Sequence, residues 1–215
     1  RSARHALLAE WAGVLETGPG VVALRMAYAD TTVLDDATAV YRCLIAQEAA
    51  SDNQQGDHFA TAGANDRLWN ALPKLCAADP ALFVRYFGND AIAAACEAWL
   101  GPDYQMTAQI NVVRPGGKAQ NAHRDYHLGF QSAVVASRFP RHAHLLTAAL
   151  TLQGAIAHCD MPVESGPTKL LPFSQTYPEG YLAFRRSDFQ AFFEANHVQI
   201  PLRKGDALFF NPALF

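Results

Sequence analysis

His123 and Asp125 are the two residues of this 215-residue chain whose types and spacing best suit metal chemistry. In an extended backbone, residues separated by one position project to the same side, so an imidazole and a carboxylate converge there. With a second, distant histidine such a pair forms the 2-His-1-carboxylate triad, which holds Fe(II) and leaves positions open for a cosubstrate and dioxygen. The same spacing also occurs as a surface histidine beside an aspartate in a turn. The pair therefore needs support from its surroundings.

Polar and apolar residues alternate over 105–113, which predicts a strand with one polar and one apolar face. Gln109 and Asn111 belong to the polar row. If the apolar face packs on helices, the polar row points into a barrel interior, where polar groups need a ligand or water. We expect a cavity lining there, with structural amide roles as the alternative. Thr147, Thr151 and Gln153 share strand parity over 146–157 and extend this lining in the same interpretation.

The elements that must position these residues differ between the two halves of the chain. Residues 1–101 are predicted to be mainly helical, and from 102 onward short runs rich in β-branched and aromatic residues, separated by Pro and Gly, predict strands. Helices are predicted over 1–17, 31–50, 65–77, 80–87, 90–100 and 187–196, the last capped by Ser187, and a short strand over 21–27. The fold class is therefore α+β, a single domain over 1–215 in which the helical half buttresses a β core.

The amino-acid composition excludes several classes of binding partner. Lys and Arg number 17 against 20 Asp and Glu, for a net charge of −3, so no basic field large enough for nucleic acid or an anionic membrane is present. Half of the residues are hydrophobic, but no apolar run approaches the roughly 20 residues of a spanning helix. Four cysteines stand far apart, which favours buried thiols over zinc or disulfides. We expect a cytoplasmic protein that acts on a small molecule.

Several motifs of the second half follow one another in a characteristic order. They are QINVVRPGG at 109–117, HRDYH at 123–127, GAIAHCD at 154–160, ESGPTKLLPFSQ at 164–175 and GDALFFN at 205–211. In residue types and order they resemble the phytanoyl-CoA dioxygenase family over about residues 104–215. The resemblance implies a double-stranded β-helix, or jelly roll, that binds Fe(II) and 2-oxoglutarate and hydroxylates a small or acyl-type organic substrate.

The resemblance also assigns roles to residues. It makes His123 and Asp125 iron ligands, and it implies a third ligand, a histidine, just beyond Phe215, followed by an arginine for the far carboxylate of 2-oxoglutarate. We expect the sequence to be a piece of a longer protein, and the alternative is a degenerate relative that lacks half of its site. Related halogenases replace the carboxylate with a small residue, so Asp125 favours hydroxylation.

Cosubstrate contacts follow from the same resemblance. Gln109 and Asn111 correspond to positions that touch 2-oxoglutarate. Tyr126 directly follows Asp125 and can hydrogen-bond a carboxylate through its phenol, with core packing as the alternative. His127, by strand alternation, is predicted to share the face of Asp125 and to orient its carboxylate.

Substrate class and reaction type leave alternatives open. Segment 131–144 carries arginines and histidines between two predicted strands and is expected to be a solvated loop. The alternative is a lid whose cations pair with an anionic substrate. Two rival functions are a cupin-like metalloenzyme that does not use 2-oxoglutarate and a non-catalytic jelly-roll binding module.

Overall fold

A computed structural model describes residues 2–50, 65–117 and 119–215. The α-helices are α1 Ala3–Glu16, α2 Thr32–Ala50, α3 Ala71–Ala78, α4 Pro80–Phe87, α5 Asp90–Leu100, α6 Ala133–Ala136, α7 Arg141–Leu146, α8 Gly180–Ala183 and α9 Ser187–Asn196. The strands are β1 Val21–Leu24, β2 Asn65–Leu68, β3 Ile110–Val113, β4 Gln153–Ile156, β5 Lys169–Leu170, β6 Val198–Gln199 and β7 Ala207–Phe210. Among the helices of these described ranges, none combines the length and the apolar character needed to cross a membrane.

The chain divides into two compact units. The motif unit consists of Arg1–Ala27, Asp90–Tyr104 and Ala122–Phe215, and the tyrosine unit consists of Tyr28–Asn89 and Gln105–Asn121. Each unit combines segments from both sides of residue 101. The single domain over 1–215 stays a prediction.

The motif unit is built on a three-stranded antiparallel sheet in the order β1-β7-β4. Its central strand β7 has the sequence ALFF and is largely buried, because β1 and β4 cover both of its edges. Helix α1 packs against α5, and the short strands β5 and β6 form a separate antiparallel pair. Two apolar clusters fill this unit. Their buried members are Ala122, Leu171, Phe184, Phe193 and Phe215 in one, and Ala157, Leu170, Leu202, Leu208 and Leu214 in the other.

The tyrosine unit packs α2, α3 and α4 beside the antiparallel pair β2–β3. Helix α4 begins where the carboxylate of Asp79 accepts a hydrogen bond from Leu82 N at 2.9 Å, with proline at the first helical position. Tyr28, Tyr41 and Tyr86 form the buried centre of the unit. The Tyr28 hydroxyl donates to the carbonyl of Tyr86 at 2.6 Å. Burial raises the pKa values of all three phenols above their ordinary range.

Helices α4, α5 and α9 have their predicted bounds, whereas three other predictions are wrong in part. The helix predicted over 65–77 is instead strand β2 followed by α3, because Asn65–Leu68 pairs with β3 and this tertiary pairing outweighs local periodicity. Segment 131–144 forms α6 and most of α7 rather than a loop between strands. Helix α9 is preceded by Arg186 as its N-cap, so Ser187 is the first helical residue rather than the cap.

The second half of the chain mixes helices with strands. Strands are shorter than predicted: β3 starts at Ile110 rather than 105, and β4 starts at Gln153 because Thr147–Leu150 forms a 3₁₀ helix. Small antiparallel sheets together with helices confirm a mixed helix-and-sheet fold. The described strands do not show a jelly roll, since the sheets are separate and contain two or three strands each.

Candidate metal centre

His123 and Asp125 lie together in the motif unit, on a segment without regular secondary structure that precedes a 3₁₀ turn at His127–Phe130. Their side chains approach each other, with 3.5 Å between His123 Nε2 and Asp125 Oδ1. Each side chain is about one-fifth exposed, at 21% and 23%. The imidazole and the carboxylate therefore converge at a partly covered surface that a small ion can reach.

Arg124, between the two, has its side chain in the protein interior. It is 2% exposed, and its Nη2 donates hydrogen bonds to the carbonyls of Ser174 at 2.5 Å and Tyr177 at 3.1 Å. Its guanidinium carbon lies 5.2 Å from the ring centre of Tyr181 and 4.4 Å from that of Phe215. Burial lowers the pKa of Arg124 to about 10, against the opposing influence of Tyr181 and Tyr177, so the group stays charged at neutral pH. This residue anchors the segment from its inner side.

Two glycines make room for that anchor. A Cβ added at Gly180 would lie 1.9 Å from the guanidinium carbon of Arg124, and one added at Gly129 would lie 1.9 Å from the Arg124 carbonyl oxygen. Both distances are far below any van der Waals contact. In this arrangement Gly129 leaves room for the backbone carbonyl of Arg124, and Gly180 leaves room for its guanidinium.

Asp125 is held by two further residues. The amide Nε2 of Gln153, the first residue of β4, donates to Asp125 Oδ2. The Tyr181 hydroxyl donates to the Asp125 backbone carbonyl at 3.4 Å. Oδ2 thus contacts Gln153, and Oδ1 is the oxygen that lies 3.5 Å from His123 Nε2.

The chain turns sharply after Asp125. Tyr126 and His127 both have positive φ, at 64° and 32°, and Gly129 N donates to the Tyr126 carbonyl at 2.6 Å. The alternation of side chains along a strand therefore ends here. The prediction that His127 shares the face of Asp125 assumed that alternation and is wrong on this point. The His127 ring packs edge-on against Phe139, with 5.3 Å between ring centres. Tyr126 is 37% exposed, and partial burial together with the Asp125 charge raises the pKa of its phenol.

The other predicted cosubstrate residues, Gln109 and Asn111, lie in the tyrosine unit, and both are exposed. Asn111 Oδ1 accepts a hydrogen bond from Arg67 Nε on the paired strand β2 at 2.6 Å. The guanidinium of Arg67 lies 4.7 Å from the ring centre of Trp69. Contacts of Gln109 and Asn111 with 2-oxoglutarate stay a prediction.

The donors at this centre fit part of an iron site. One imidazole and one carboxylate are two of the three ligands in the 2-His-1-carboxylate triad, and hydrogen bonding of the second carboxylate oxygen is typical of metal ligands. Within residues 2–50, 65–117 and 119–215, no group of three or more His, Cys, Asp or Glu side chains is arranged to hold a metal ion. A third ligand just beyond Phe215, which the resemblance implies, stays a prediction.

The model of the phytanoyl-CoA dioxygenase family matches residues 18–215. The chain therefore belongs to that family, as the order of its motifs predicts. Members of the family are typically dependent on Fe(II) and 2-oxoglutarate, and the membership points to oxygenase activity in general. No curated protein matches the chain.

Proposed function

We propose that this protein is an Fe(II)- and 2-oxoglutarate-dependent dioxygenase that hydroxylates a small or acyl-type organic substrate. The observation that carries the proposal is the approach of His123 Nε2 to Asp125 Oδ1, at 3.5 Å, in a chain of this family. In this proposal the core is the family's jelly roll, buttressed by the N-terminal helices.

His123 and Asp125 hold the iron in this proposal, and a histidine after segment 205–211 completes the triad. When bound, Fe(II) with 2-oxoglutarate and dioxygen supplies the oxidation that replaces a C–H bond by C–OH. The chain itself keeps the ligands in place: Arg124 anchors the segment from inside, and Gln153 restrains the Asp125 carboxylate. The carboxylate at position 125 supports hydroxylation rather than halogenation, since it occupies the position that a halide would need.

Cosubstrate and substrate contacts are also part of the proposal. Tyr126 contacts 2-oxoglutarate, and an arginine beyond the distal histidine pairs with its far carboxylate; the roles of Gln109 and Asn111 rest on the resemblance alone. The partly exposed side chain of Tyr126, next to Asp125, supports its share in this role. An anionic substrate is supported by Arg138, Arg141 and His142, which are exposed on the segment that forms α6 and α7.

We place the protein in the cytoplasm, as a proposal supported by its thiols. Cys43, Cys76, Cys96 and Cys159 are unbridged, which is the state expected in a reducing compartment.

Succinate formation from 2-oxoglutarate tests the function. The full-length protein is loaded with Fe(II) without oxygen and then exposed to oxygen, in wild type, H123A and D125A. Both variants should lose at least about 100-fold in turnover while keeping the wild-type circular dichroism spectrum, because each lacks an iron ligand. H5A and D188A, which change exposed residues far along the chain from the motif, should retain wild-type turnover.

Each rival predicts a different result. Unchanged succinate formation in D125A would show that the iron assignment is wrong. Turnover of a substrate without 2-oxoglutarate would identify a cupin-like metalloenzyme, and a full-length protein that binds neither Fe(II) nor Mn(II) would be a non-catalytic module.

A further inference from the structure

Gln153 lies 28 positions after Asp125 in the sequence, and its side chain contacts the Asp125 carboxylate. Its Nε2 donates to Oδ2, and the second oxygen, Oδ1, is the one that lies 3.5 Å from His123 Nε2. The two carboxylate oxygens therefore have different surroundings, one facing an amide donor and the other facing the imidazole.

An amide is well suited to maintain that difference. It carries no charge at any pH of interest, so it donates to a carboxylate without competing for a cation as a second carboxylate would. An oxygen that accepts an amide hydrogen bond is less available to a metal than one that faces another metal-binding side chain, as Oδ1 faces His123. The carboxylate is thereby prepared to bind a cation through one oxygen.

We propose that Gln153 is a positioning residue that fixes Asp125 as a one-oxygen metal ligand, through Oδ1, on the side of His123. This inference rests on the proposed function, because it assumes that the ion is held by His123 and Asp125. The inference adds Gln153 to the residues of the candidate metal centre, although Gln153 lies at the start of β4 and belongs to no metal-binding sequence motif.

The surroundings of Asp125 restrict the motions that Gln153 has to control. The backbone carbonyl of Asp125 accepts from the Tyr181 hydroxyl at 3.4 Å, and the preceding residue, Arg124, is enclosed. With the backbone held, the positions of the two carboxylate oxygens depend on rotation about the side-chain bonds of Asp125. The hydrogen bond from Gln153 restrains that rotation.

Gln153 is itself held by the sheet. It is paired with Phe210 of β7, and the ladder continues to the pair Ile156 and Ala207. β7 is the central strand and is largely buried. The amide therefore acts from a regular element rather than from a loop, which is the arrangement that best fixes a ligand.

Mn(II) affinity tests this role without any turnover. Mn(II) is titrated into the full-length protein and followed by its electron paramagnetic resonance signal, in wild type and Q153L. Leucine has a similar size but no donor, so we expect affinity to fall about 10- to 100-fold, the range for loss of a hydrogen-bonding partner of a ligand. The spectrum of bound Mn(II) should also change, because a released carboxylate can bind through both oxygens.

A matched control is available in Q199L. Gln199 is also partly buried at a strand position of the motif unit, and its Nε2 donates to the Pro167 carbonyl at 2.6 Å. This variant loses a comparable hydrogen bond away from Asp125 and should change Mn(II) affinity less than twofold. Q153M, with an unbranched side chain of similar length, serves if Q153L does not fold and should show the same loss.

The outcomes separate this inference from the proposed function. If D125A abolishes Mn(II) binding while the folded Q153 variants bind as wild type does, Gln153 is not a positioning residue and the iron assignment stands. If D125A itself binds Mn(II) with wild-type affinity, the proposed function fails. Equal losses in Q153L and Q199L would show a general effect of the lost hydrogen bond and would overturn the specific role.

Discussion

The motif unit and the tyrosine unit treat buried polarity differently. In the described part of the chain, the buried side chains that are charged or carry amide or imidazole groups all belong to the motif unit. They are Arg124, His144, Gln175, Asp206 and Asn211. The tyrosine unit instead buries the phenols of Tyr28, Tyr41 and Tyr86. Its ion pairs are exposed, as between Arg85 and Asp36, or partly exposed, as between Lys74 and Glu48.

This difference indicates that side-chain positions are fixed by buried hydrogen bonds mainly in the motif unit. A buried polar group costs free energy unless it is hydrogen-bonded, so each such group fixes its partners. Asp206 illustrates the point: although burial opposes its ionisation, hydrogen bonds from Arg203 N, Met26 N and Arg25 lower the pKa of its carboxyl. Such restraints suit the unit that contains the candidate metal centre, whereas stacked aromatic rings suit a unit whose interior is held by apolar packing.

The largest effect that sharpens this comparison is expected from G129A. Its methyl group would lie 1.9 Å from the Arg124 carbonyl oxygen, so the backbone between His123 and Asp125 must move. We expect a loss of about 4 kcal/mol in the free energy of unfolding, measured by urea denaturation, together with weaker Mn(II) binding. G116A in the tyrosine unit has open space and only a positive φ to accommodate, so it should cost about 1 kcal/mol and leave Mn(II) affinity unchanged. Equal costs would contradict the comparison.

A second, smaller effect is expected when an arginine is removed from each unit. R124M removes the side-chain hydrogen bonds to the carbonyls of Ser174 and Tyr177, which keep their backbone donors, together with the guanidinium contacts to the rings of Tyr181 and Phe215. It should cost about 2 kcal/mol in urea denaturation. R114M removes a partly exposed ion pair with Asp66 and should cost less than about 0.5 kcal/mol. If R114M were the more damaging substitution, the distinction between the units would be reversed.

The smallest effect concerns the phenols of the tyrosine unit. Y28F loses the hydrogen bond to the Tyr86 carbonyl and should cost about 1 kcal/mol at pH 7. The folded-state pKa of Tyr28 is raised, so the wild type has its full stability below the unfolded pKa of about 10 and loses stability as pH rises above it. Y28F lacks this loss, so the difference between the two proteins should shrink by about 1 kcal/mol at pH 11. A constant difference in urea denaturation at both pH values would show that Tyr28 ionises equally in both states.

Local sequence patterns predicted much of the helical structure. Helices α4, α5 and α9 follow from apolar spacing and from clear stops such as the Gly-Pro pair after α5, and their bounds are as predicted. Strand β2 could not be found in the same way. Its four residues, Asn65–Leu68, have no strand-like alternation of their own and are extended because they pair with β3.

The candidate site shows the same division. The spacing of His123 and Asp125 predicts their convergence, because it depends on an extended backbone over three residues. The contact between Gln153 and Asp125 depends on the register of β4 against β7, which strand parity alone does not give. Arg124 was missed for a related reason: alternation turns it inward, but its burial depends on distant carbonyls, rings and glycines.

The pairing of β4 with the sheet has a consequence for inactive variants. β4 is hydrogen-bonded only to β7 in the described sheet, and Gln153 stands at its first position. A slip of this strand by one residue would turn Gln153 to the opposite face of the sheet while leaving His123 and Asp125 unchanged. Metal affinity would then report on strand register, and relatives with an intact motif could lose binding through substitutions in β4 or β7 that touch no ligand.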